Sequence, residues 1–171
     1  YKRQAKTVNR SQGGAALLRS PDLIRSICER VRERVPHGTP VTAKIRLGYD
    51  TDENFEEILD ALAAVALTEV TIHARTRRQG YRPPAHWHRL RDVRNRLPFP
   101  VIANGELWTP GDIARCAEVS GSSAFMLGRG ALCRPDLGAA IRAYYRGEAP
   151  SSFGWQDVRE LLIHFLEQNR R

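Results

Sequence analysis

Polar and cationic residues stand at the ends of four short apolar runs of the sequence. Lys44, His73, Asn104 and Arg129 each close or closely follow such a run. If the runs are parallel strands of one sheet, their carboxyl ends meet at one edge and these side chains converge. Converging cations and amides suit an anionic ligand with several hydrogen-bonding groups. We therefore predict a site for a phosphorylated cofactor.

Glycines beside the last two positions favour the same ligand. Asn104-Gly105 and Gly128-Arg129-Gly130 let backbone N–H groups approach a phosphate closely, because glycine adds no Cβ. The first two positions allow two interpretations each. Lys44 either holds a charged group of the ligand or reaches the surface, and His73 is either a ligand contact or a structural core histidine.

The runs themselves predict the strands of an α/β protein. They cover residues 41–46, 69–73, 100–104 and 124–128, and their β-branched residues indicate buried strands. Helical patterns lie over 21–35, over 55–62 and after Pro110. The strand ends recur every 25 to 31 residues, as in a (β/α)8 barrel. We predict a partial TIM barrel, roughly its last four strands with their helices; an open doubly wound sheet is the alternative.

The texture of the sequence changes after Tyr145. Residues 147–152 predict a linker, and apolar residues from Trp155 to Leu166 follow helical spacing. One isolated helix cannot bury its own apolar face, so this helix either begins a helical domain or packs back on the barrel. We assign residues 1–146 to the half barrel and 147–171 to the linker and the first helix of that domain.

The charge of the chain favours a polyanionic partner. The formal net charge is +8, and only three of the 27 basic residues are lysines, which leaves 24 arginines. Arginine suits phosphate through its planar fork. The loop over residues 75–82 contains arginines and one tyrosine, a composition that favours RNA. Solvated surface arginines are the plainer interpretation.

Cysteine usage and hydropathy exclude several classes of protein. Cys28, Cys116 and Cys133 are widely spaced and belong to no Cys/His cluster, so we predict no disulfide framework and no metal site. We expect all three to be reduced packing residues, away from the strand ends, in a cytoplasmic protein. No apolar stretch approaches the roughly 18 residues of a membrane span.

Six segments, in order over nearly the whole chain, resemble the tRNA-dihydrouridine synthases, most closely the bacterial C-type branch. They are Lys6-Thr7-Val8-Asn9 with Gly13-Gly14-Ala15, Lys44-Ile45-Arg46-Leu47-Gly48, His73-Ala74-Arg75-Thr76, Gln79-Gly80-Tyr81, Ala103-Asn104-Gly105-Glu106, and Met126-Leu127-Gly128-Arg129-Gly130-Ala131. The resemblance implies an FMN-binding TIM barrel followed by a helical tRNA-binding domain. It implies reduction of a D-loop uridine, expected to be uridine 16, to 5,6-dihydrouridine, with NADPH supplying the hydride through FMN.

The resemblance also implies roles for individual residues. Lys44 and His73 are expected to contact the flavin. The ribityl and phosphate groups fall to Asn104, Gly105, Glu106, Gly128 and Arg129. Three residues of the arginine-rich loop are expected to approach the nucleotide or the tRNA backbone, namely Arg75, Gln79 and Tyr81.

One position departs from the family pattern. The family pattern in this stretch is Asn-x-Gly-Cys-Pro. The positions of Gly, Cys and Pro hold Lys2, Arg3 and Gln4 here, so Arg3 fills the slot of the proton-donating cysteine. Arginine cannot serve as that acid, because its pKa lies above about 12. We expect a piece of a synthase that is inactive alone and that associates through open sheet edges. The alternatives are a non-catalytic RNA-binding remnant and another FMN barrel that reduces a pyrimidine.

Overall fold

A computed structural model describes residues 12–149 and 152–169 of the chain. Strands and helices alternate through most of it, which confirms the predicted α/β class. The elements are, in order, α1 (Pro21–Arg34), β1 (Thr42–Arg46), α2 (Phe55–Ala63), β2 (Glu69–His73), α3 (Val93–Arg96), β3 (Val101–Asn104), α4 (Pro110–Ser120), β4 (Ala124–Met126), α5 (Arg129–Cys133), α6 (Leu137–Arg146) and α7 (Trp155–Gln168). Short 3₁₀ helices cover Gly14–Arg19 and Trp87–Leu90.

The four strands form one parallel sheet in the order β1-β2-β3-β4. Each strand pairs with the next one along the chain, and helices connect them, which is the arrangement of consecutive units in a (β/α)8 barrel. An open doubly wound sheet would reverse its strand order at a switch point, and the described strands show no such reversal. The sheet is therefore part of a barrel wall.

The register separates the residues of the sheet into two faces. Ile45, Ile72 and Ala103 lie opposite one another on adjacent strands, and so do Arg46, His73 and Asn104. Because successive side chains alternate between faces, the first row and the second row point to opposite sides. The first row packs in the hydrophobic core, whereas the second lines the concave side of the sheet.

The core lies between the sheet and its helices. Ile58, Leu62, Val70, Ile72 and Ile113 are almost completely buried there, and each contributes about 1.5–3 kcal/mol relative to an exposed side chain. Helix α2 supplies the first two of these residues and α4 the last. This packing fixes the outer face of the sheet and leaves the concave face to the polar row.

Helix α4 shows how the sequence positions an element next to the sheet. Thr109 and Asp112 form a capping box at its start, and Gly121 ends it in the left-handed conformation, with φ of 70°. Arg91 and Arg94 donate hydrogen bonds to the carbonyl oxygens of residues 118, 119 and 121. Both ends of the helix are thus satisfied, and the connection from β3 to β4 is rigid.

Several sequence expectations about the elements are wrong in detail. Strands β1 and β4 are only partly buried, since Lys44 of β1 is exposed and Ala124–Met126 of β4 are half-buried. They are the edge strands of the described sheet, so each lacks a neighbour on one side. Residues 87–96 form two short helical turns that no helical pattern predicts, because neither turn is long enough to show an apolar period.

Helix α7 does not pack against the barrel wall. Val158 is half-buried, and every other residue described from Trp155 to Asn169 is exposed. Its apolar side chains include Phe165 and Leu166, each 61% exposed. The helix itself is as predicted, while the helical domain that it is expected to begin stays a prediction. No described helix is long and apolar enough to cross a membrane.

Candidate functional site

A cavity of about 650 Å³ opens on the concave side of the sheet, at the carboxyl ends of the strands. All seven residues predicted to bind the cofactor line it, together with two of the three predicted to face the tRNA. The nine are Lys44, His73, Arg75, Tyr81, Asn104, Gly105, Glu106, Gly128 and Arg129. Its size is within the range of about 300–1,000 Å³ typical of ligand pockets. The structure thus brings these residues together, while their roles stay predictions.

A chain of hydrogen bonds joins three strands across the floor of the cavity. Lys44 Nζ donates to Asn104 Oδ1 over 2.8 Å, and Asn104 Nδ2 donates to the carbonyl oxygen of Met126 over 2.7 Å. Lys44 is therefore exposed toward the cavity rather than embedded in the core. The hydrogen bond to Asn104 holds the Lys44 ammonium at the edge of the cavity.

His73 lies in the middle of the cationic cluster and is buried. Burial lowers the pKa of its imidazole to about 3, and the nearby Arg46, Lys44, Arg75 and Arg129 contribute to that lowering. The ring is consequently neutral at physiological pH. Because the arginine can only donate, the Nε2 atom of His73 accepts from Arg75 Nη1 over 3.4 Å.

Arg75 links the two sides of the cavity from within. Its guanidinium pairs with the carboxylate of Glu106, and its Nε donates to the carbonyl oxygen of Arg82 over 2.7 Å. The side chain is 0% exposed. We predict from sequence that Arg75 approaches the tRNA; its burial does not permit a surface contact, because its donors are engaged inside the protein.

The other two residues predicted to face the tRNA differ in their surroundings. Tyr81 is 60% exposed at the cavity mouth, with its ring 5.4 Å from the Arg46 guanidinium and 4.6 Å from that of Arg129. Gln79 does not line the cavity. Its side chain accepts from the Thr76 N–H over 2.7 Å and lies 3.0 Å from His86 Nε2, so it stabilises the loop.

Glycine is required at two turns of the site. A Cβ on Gly105 would lie 2.7 Å from Cδ2 of His73, and its φ is +113°. A Cβ on Gly130 would lie 2.4 Å from the carbonyl oxygen of Leu107. Gly105 allows the loop after β3 to approach His73 at the end of β2, and Gly130 allows the chain after β4 to approach the loop after β3. Gly128 is different, since a Cβ there meets nothing within 4 Å and would extend into open space beside Arg129.

Two residues of the site were not assigned from sequence. Trp108 Nε1 donates to Glu106 Oε1 over 3.0 Å, and its ring lies 4.9 Å from the Arg129 guanidinium. Arg46 donates to the carbonyl oxygens of Thr76 and Gly80 over 3.0 Å each and so anchors the arginine-rich loop. The sequence signal for Arg46 was its position at the end of the first apolar run, two residues after Lys44. The only sequence signal for Trp108 was its position two residues after Glu106.

The cysteines meet the sequence expectations only in part. Cys116 is buried, and burial raises the pKa of its thiol to about 11. Cys133 is exposed and Cys28 is half-buried on α1, where it lines the cavity. The packing role predicted for Cys133 is therefore wrong, and so is the placement of Cys28 away from the cavity. Across the described ranges, no group of His, Cys, Asp or Glu could hold a metal ion.

Two sequence features fall outside the described residues. The slot filled by Arg3 and the segment Lys6-Thr7-Val8-Asn9 both precede residue 12, the first that the structure describes.

Sequence comparison connects this site to a family. Residues 5–167 match the dihydrouridine synthase (Dus) family. The chain belongs to that family. Named relatives are the "tRNA-dihydrouridine(16) synthase" of Aquipseudomonas alcaligenes, 46% identical over 98% of this chain and 53% of the relative, and that of Pseudomonas putida, 46% identical over 96% and 51%. The Escherichia coli K12 protein of the same name is 43% identical over 98% and 52%.

The matches extend over only part of each relative. The chain spans about half the length of the curated relatives it matches, in agreement with the four-stranded piece of barrel wall. The matches confirm the predicted resemblance and do not favour a barrel acting on a different pyrimidine. The chain that carries this cationic cavity is thus similar to proteins named as tRNA-modifying enzymes.

Proposed function

We propose that this chain is the part of a tRNA-dihydrouridine synthase that holds much of the FMN site, and that the whole enzyme reduces a tRNA D-loop uridine. Uridine 16 is the proposed target, because the relatives are named for that position. The observation that supports the proposal best is the cluster of Lys44, Arg46, Arg75 and Arg129 around one cavity. On this basis residues 1–146 belong to the flavin barrel and 147–171 to the start of a tRNA-binding helical domain.

The charge of the cavity and the space beside Gly128 suit FMN. One carboxylate, that of Glu106, lies among the four cations, and it is already paired with Arg75. The remaining positive charge suits a phosphate. Near Arg129, Gly128 leaves open space in which a phosphate can approach the backbone. The concave face between Lys44 and His73 would accept the flavin ring.

The proposed roles divide the reaction among the residues. FMN, when bound and reduced by NADPH, would supply the hydride for the uridine C5–C6 double bond. Lys44 would place a positive charge beside the ring, where it could stabilise negative charge on the flavin. Neutral His73 would contact the ring without adding charge. Asn104, Gly105 and Glu106 would hold the ribityl chain, and Gly128 with Arg129 would hold the phosphate.

Proton donation is not assigned to this part of the chain. The resemblance aligns Arg3 with the family's acid, and an arginine does not release a proton at physiological pH. Among the described residues, the cysteine that lines the cavity, Cys28, has its thiol pKa raised by burial. We therefore propose that the 171-residue chain binds FMN without reducing tRNA on its own.

A comparison of FMN with riboflavin tests the proposal. The two flavins differ by the phosphate alone, so the chain should retain FMN through gel filtration, with flavin absorbance in the protein peak, and bind riboflavin more weakly. R129A should remove that preference. The matched control R142A, on an exposed arginine of α6, should keep it. Equal affinity of the folded wild-type chain for both flavins, or no affinity for either, would contradict the proposed site.

A further inference from the structure

A basic surface lies beside the cavity mouth, on two loops that are joined to each other. The Arg77 N–H donates to the carbonyl oxygen of Gly48 and the Arg78 N–H to that of Tyr49, each over 2.9 Å. These bonds connect the loop after β1 to the arginine-rich loop after β2. We call Tyr49, Arg77 and Arg78 the Tyr49 shelf.

The tyrosine ring orients the arginine next to it. The Arg77 guanidinium carbon lies 5.1 Å from the centroid of the Tyr49 ring, and that of Arg19 lies 3.8 Å away. Arg19 also pairs with Asp50 over 2.7 Å, which neutralises its charge. A guanidinium held over a ring keeps its planar edge free for a bidentate contact and loses less rotamer freedom on binding.

The charge of the shelf is not compensated within the described residues. Arg77 and Arg78 are exposed, and neither forms an ion pair with a carboxylate of residues 12–149 or 152–169. Other exposed arginines do form such pairs, for example Arg25 with Glu29 and Arg115 with Asp112. Two guanidiniums without an ion-pair partner in the described ranges, on loops joined by backbone hydrogen bonds, suit a partner with several phosphates along one strand.

Exposed Tyr81 favours RNA over an acidic protein as that partner. It lies on the same loop as Arg77, at the cavity mouth, and an exposed aromatic ring next to guanidiniums can stack on an unpaired base. A base at Tyr81 would continue into a sugar-phosphate backbone that runs over the neighbouring surface. The shelf and the ring thus match the two chemical parts of one strand.

We propose that Arg77 and Arg78, the former oriented by Tyr49, bind the phosphodiester backbone of tRNA next to the nucleotide that enters the cavity. This inference rests on the proposed function, since it names a contact of the same substrate. The shelf positions the strand and does not read its sequence, because phosphate contacts carry no base information.

Binding of an unmodified tRNA transcript to the full 171-residue chain tests the shelf. R77E and R78E should each weaken binding at low salt about tenfold or more. Each should also reduce the slope of log K against log salt by about 0.7–0.9 for every phosphate that the variant no longer neutralises. R77K should fall between wild type and R77E, because it keeps the charge and removes the fork. Y49A should weaken binding, whereas Y49F, which retains the ring, should not.

The control R30E reverses an exposed charge on α1, away from the loops. It should leave the salt slope unchanged. If the wild-type chain binds tRNA and R77E and R78E behave like R30E, the shelf is wrong while the proposed function stands. If the folded wild-type chain fails to bind tRNA at low salt, the proposed substrate is at fault and the shelf has no partner. Thermal melts of each variant confirm that these surface changes leave the fold intact.

Discussion

Four cations surround a single buried histidine, and this arrangement determines the charge of the cavity. Protonating His73 would place a fifth positive charge among Lys44, Arg46, Arg75 and Arg129, in a buried position. The imidazole therefore stays neutral and can accept a hydrogen bond from Arg75. A neutral ring at this point leaves the cations available to an anionic ligand.

The depressed pKa of His73 predicts a pH-dependent stability. In the unfolded chain the imidazole takes up a proton near pH 6.5, whereas in the folded chain it does so near pH 3. Between those values the unfolded state binds more protons, so the free energy of unfolding falls as pH falls, by at most about 1.4 kcal/mol per pH unit. Urea melts at pH 7 and pH 5 should show this loss in the wild-type chain and a smaller one in H73Q.

A second histidine variant serves as the control for that measurement. His37 is exposed in a turn, so H37Q should reproduce the wild-type dependence on pH. If the free energy of unfolding of H73Q and of the wild-type chain changed with pH in the same way, His73 would not be the source of the pH dependence.

Trp108 is predicted to position two of the residues that are proposed to hold FMN, Glu106 and Arg129. W108F removes the N–H that bonds to Glu106 and keeps a ring near Arg129, whereas W108L removes both interactions. A hydrogen bond to a charged group contributes about 1.5–3 kcal/mol, so W108F should lower FMN affinity about tenfold. W108L should lower it further. Flavin fluorescence titrations measure both, with W155F on exposed α7 as the control; wild-type affinity in W108L would contradict the prediction.

At this scale the sequence predicts which residues gather, but not what each one contacts. Lys44, Asn104 and Arg129 are predictable because parallel strands end at a common edge. The burial of Arg75 is not predictable in the same way. It depends on Glu106 turning back toward the β2 loop with a positive φ of 59°, and a left-handed glutamate has no sequence signature.

The loops after β3 and β4 carry the ribityl and phosphate parts of the proposed site. Their glycines have different duties, which substitution can separate. Gly105 is required by the fold itself, because its left-handed backbone and the nearby His73 ring leave no room for a side chain. A Cβ on Gly128 would meet nothing within 4 Å, so no atom of the described chain excludes a side chain there and a bound ligand would be the first group to meet it.

We predict that G128A folds normally and loses FMN affinity. The chain should stay folded, because a Cβ at this position meets nothing within 4 Å, while FMN affinity drops because a methyl group occupies the approach to the phosphate. G138A, in α6 with nothing within 4 Å, should be stabilised by about 0.5–1 kcal/mol and bind FMN normally. Urea melts and FMN titrations decide; an unchanged FMN affinity in G128A would place the phosphate elsewhere.

The positions of the strands are well predicted, but the faces are predictable only for some of them. Each predicted strand overlaps an observed one and its ends differ by at most two residues. Strand β2 alternates polar and apolar residues, and its apolar Val70 and Ile72 pack in the core. Val101–Ala103 of β3 are all apolar, so there the two faces follow only from the register with β2 and β4.

The described chain presents two kinds of unsatisfied surface at the scale of the whole molecule. Strands β1 and β4 are the edges of the described sheet, with backbone groups available for pairing. Helix α7 exposes Trp155, Leu162 and Phe165, at 70%, 50% and 61%. A large exposed apolar surface drives association in water.

We predict that the purified 171-residue chain self-associates as its concentration rises. Light scattering after gel filtration should show species larger than a monomer. The double change F165E/L166E should reduce their size if α7 forms the contact, with Q168E on the same helix as the control. Persistence of the large species in F165E/L166E would assign the contact to the sheet edges, and a monomeric wild-type chain at all concentrations would contradict the prediction.

The hydrogen bond from Lys44 to Asn104 has a consequence for the shape of the sheet. It begins on β1, passes over β2 and ends on β3, and Asn104 continues it to β4. Such a bond ties two non-adjacent strands together, because side chains on the concave side of a curved sheet converge. Shortening or breaking the hydrogen bond between Lys44 and Asn104 would change the curvature of the sheet. A ligand that competes for the Lys44 ammonium would therefore act on the shape of the barrel as well as on its charge.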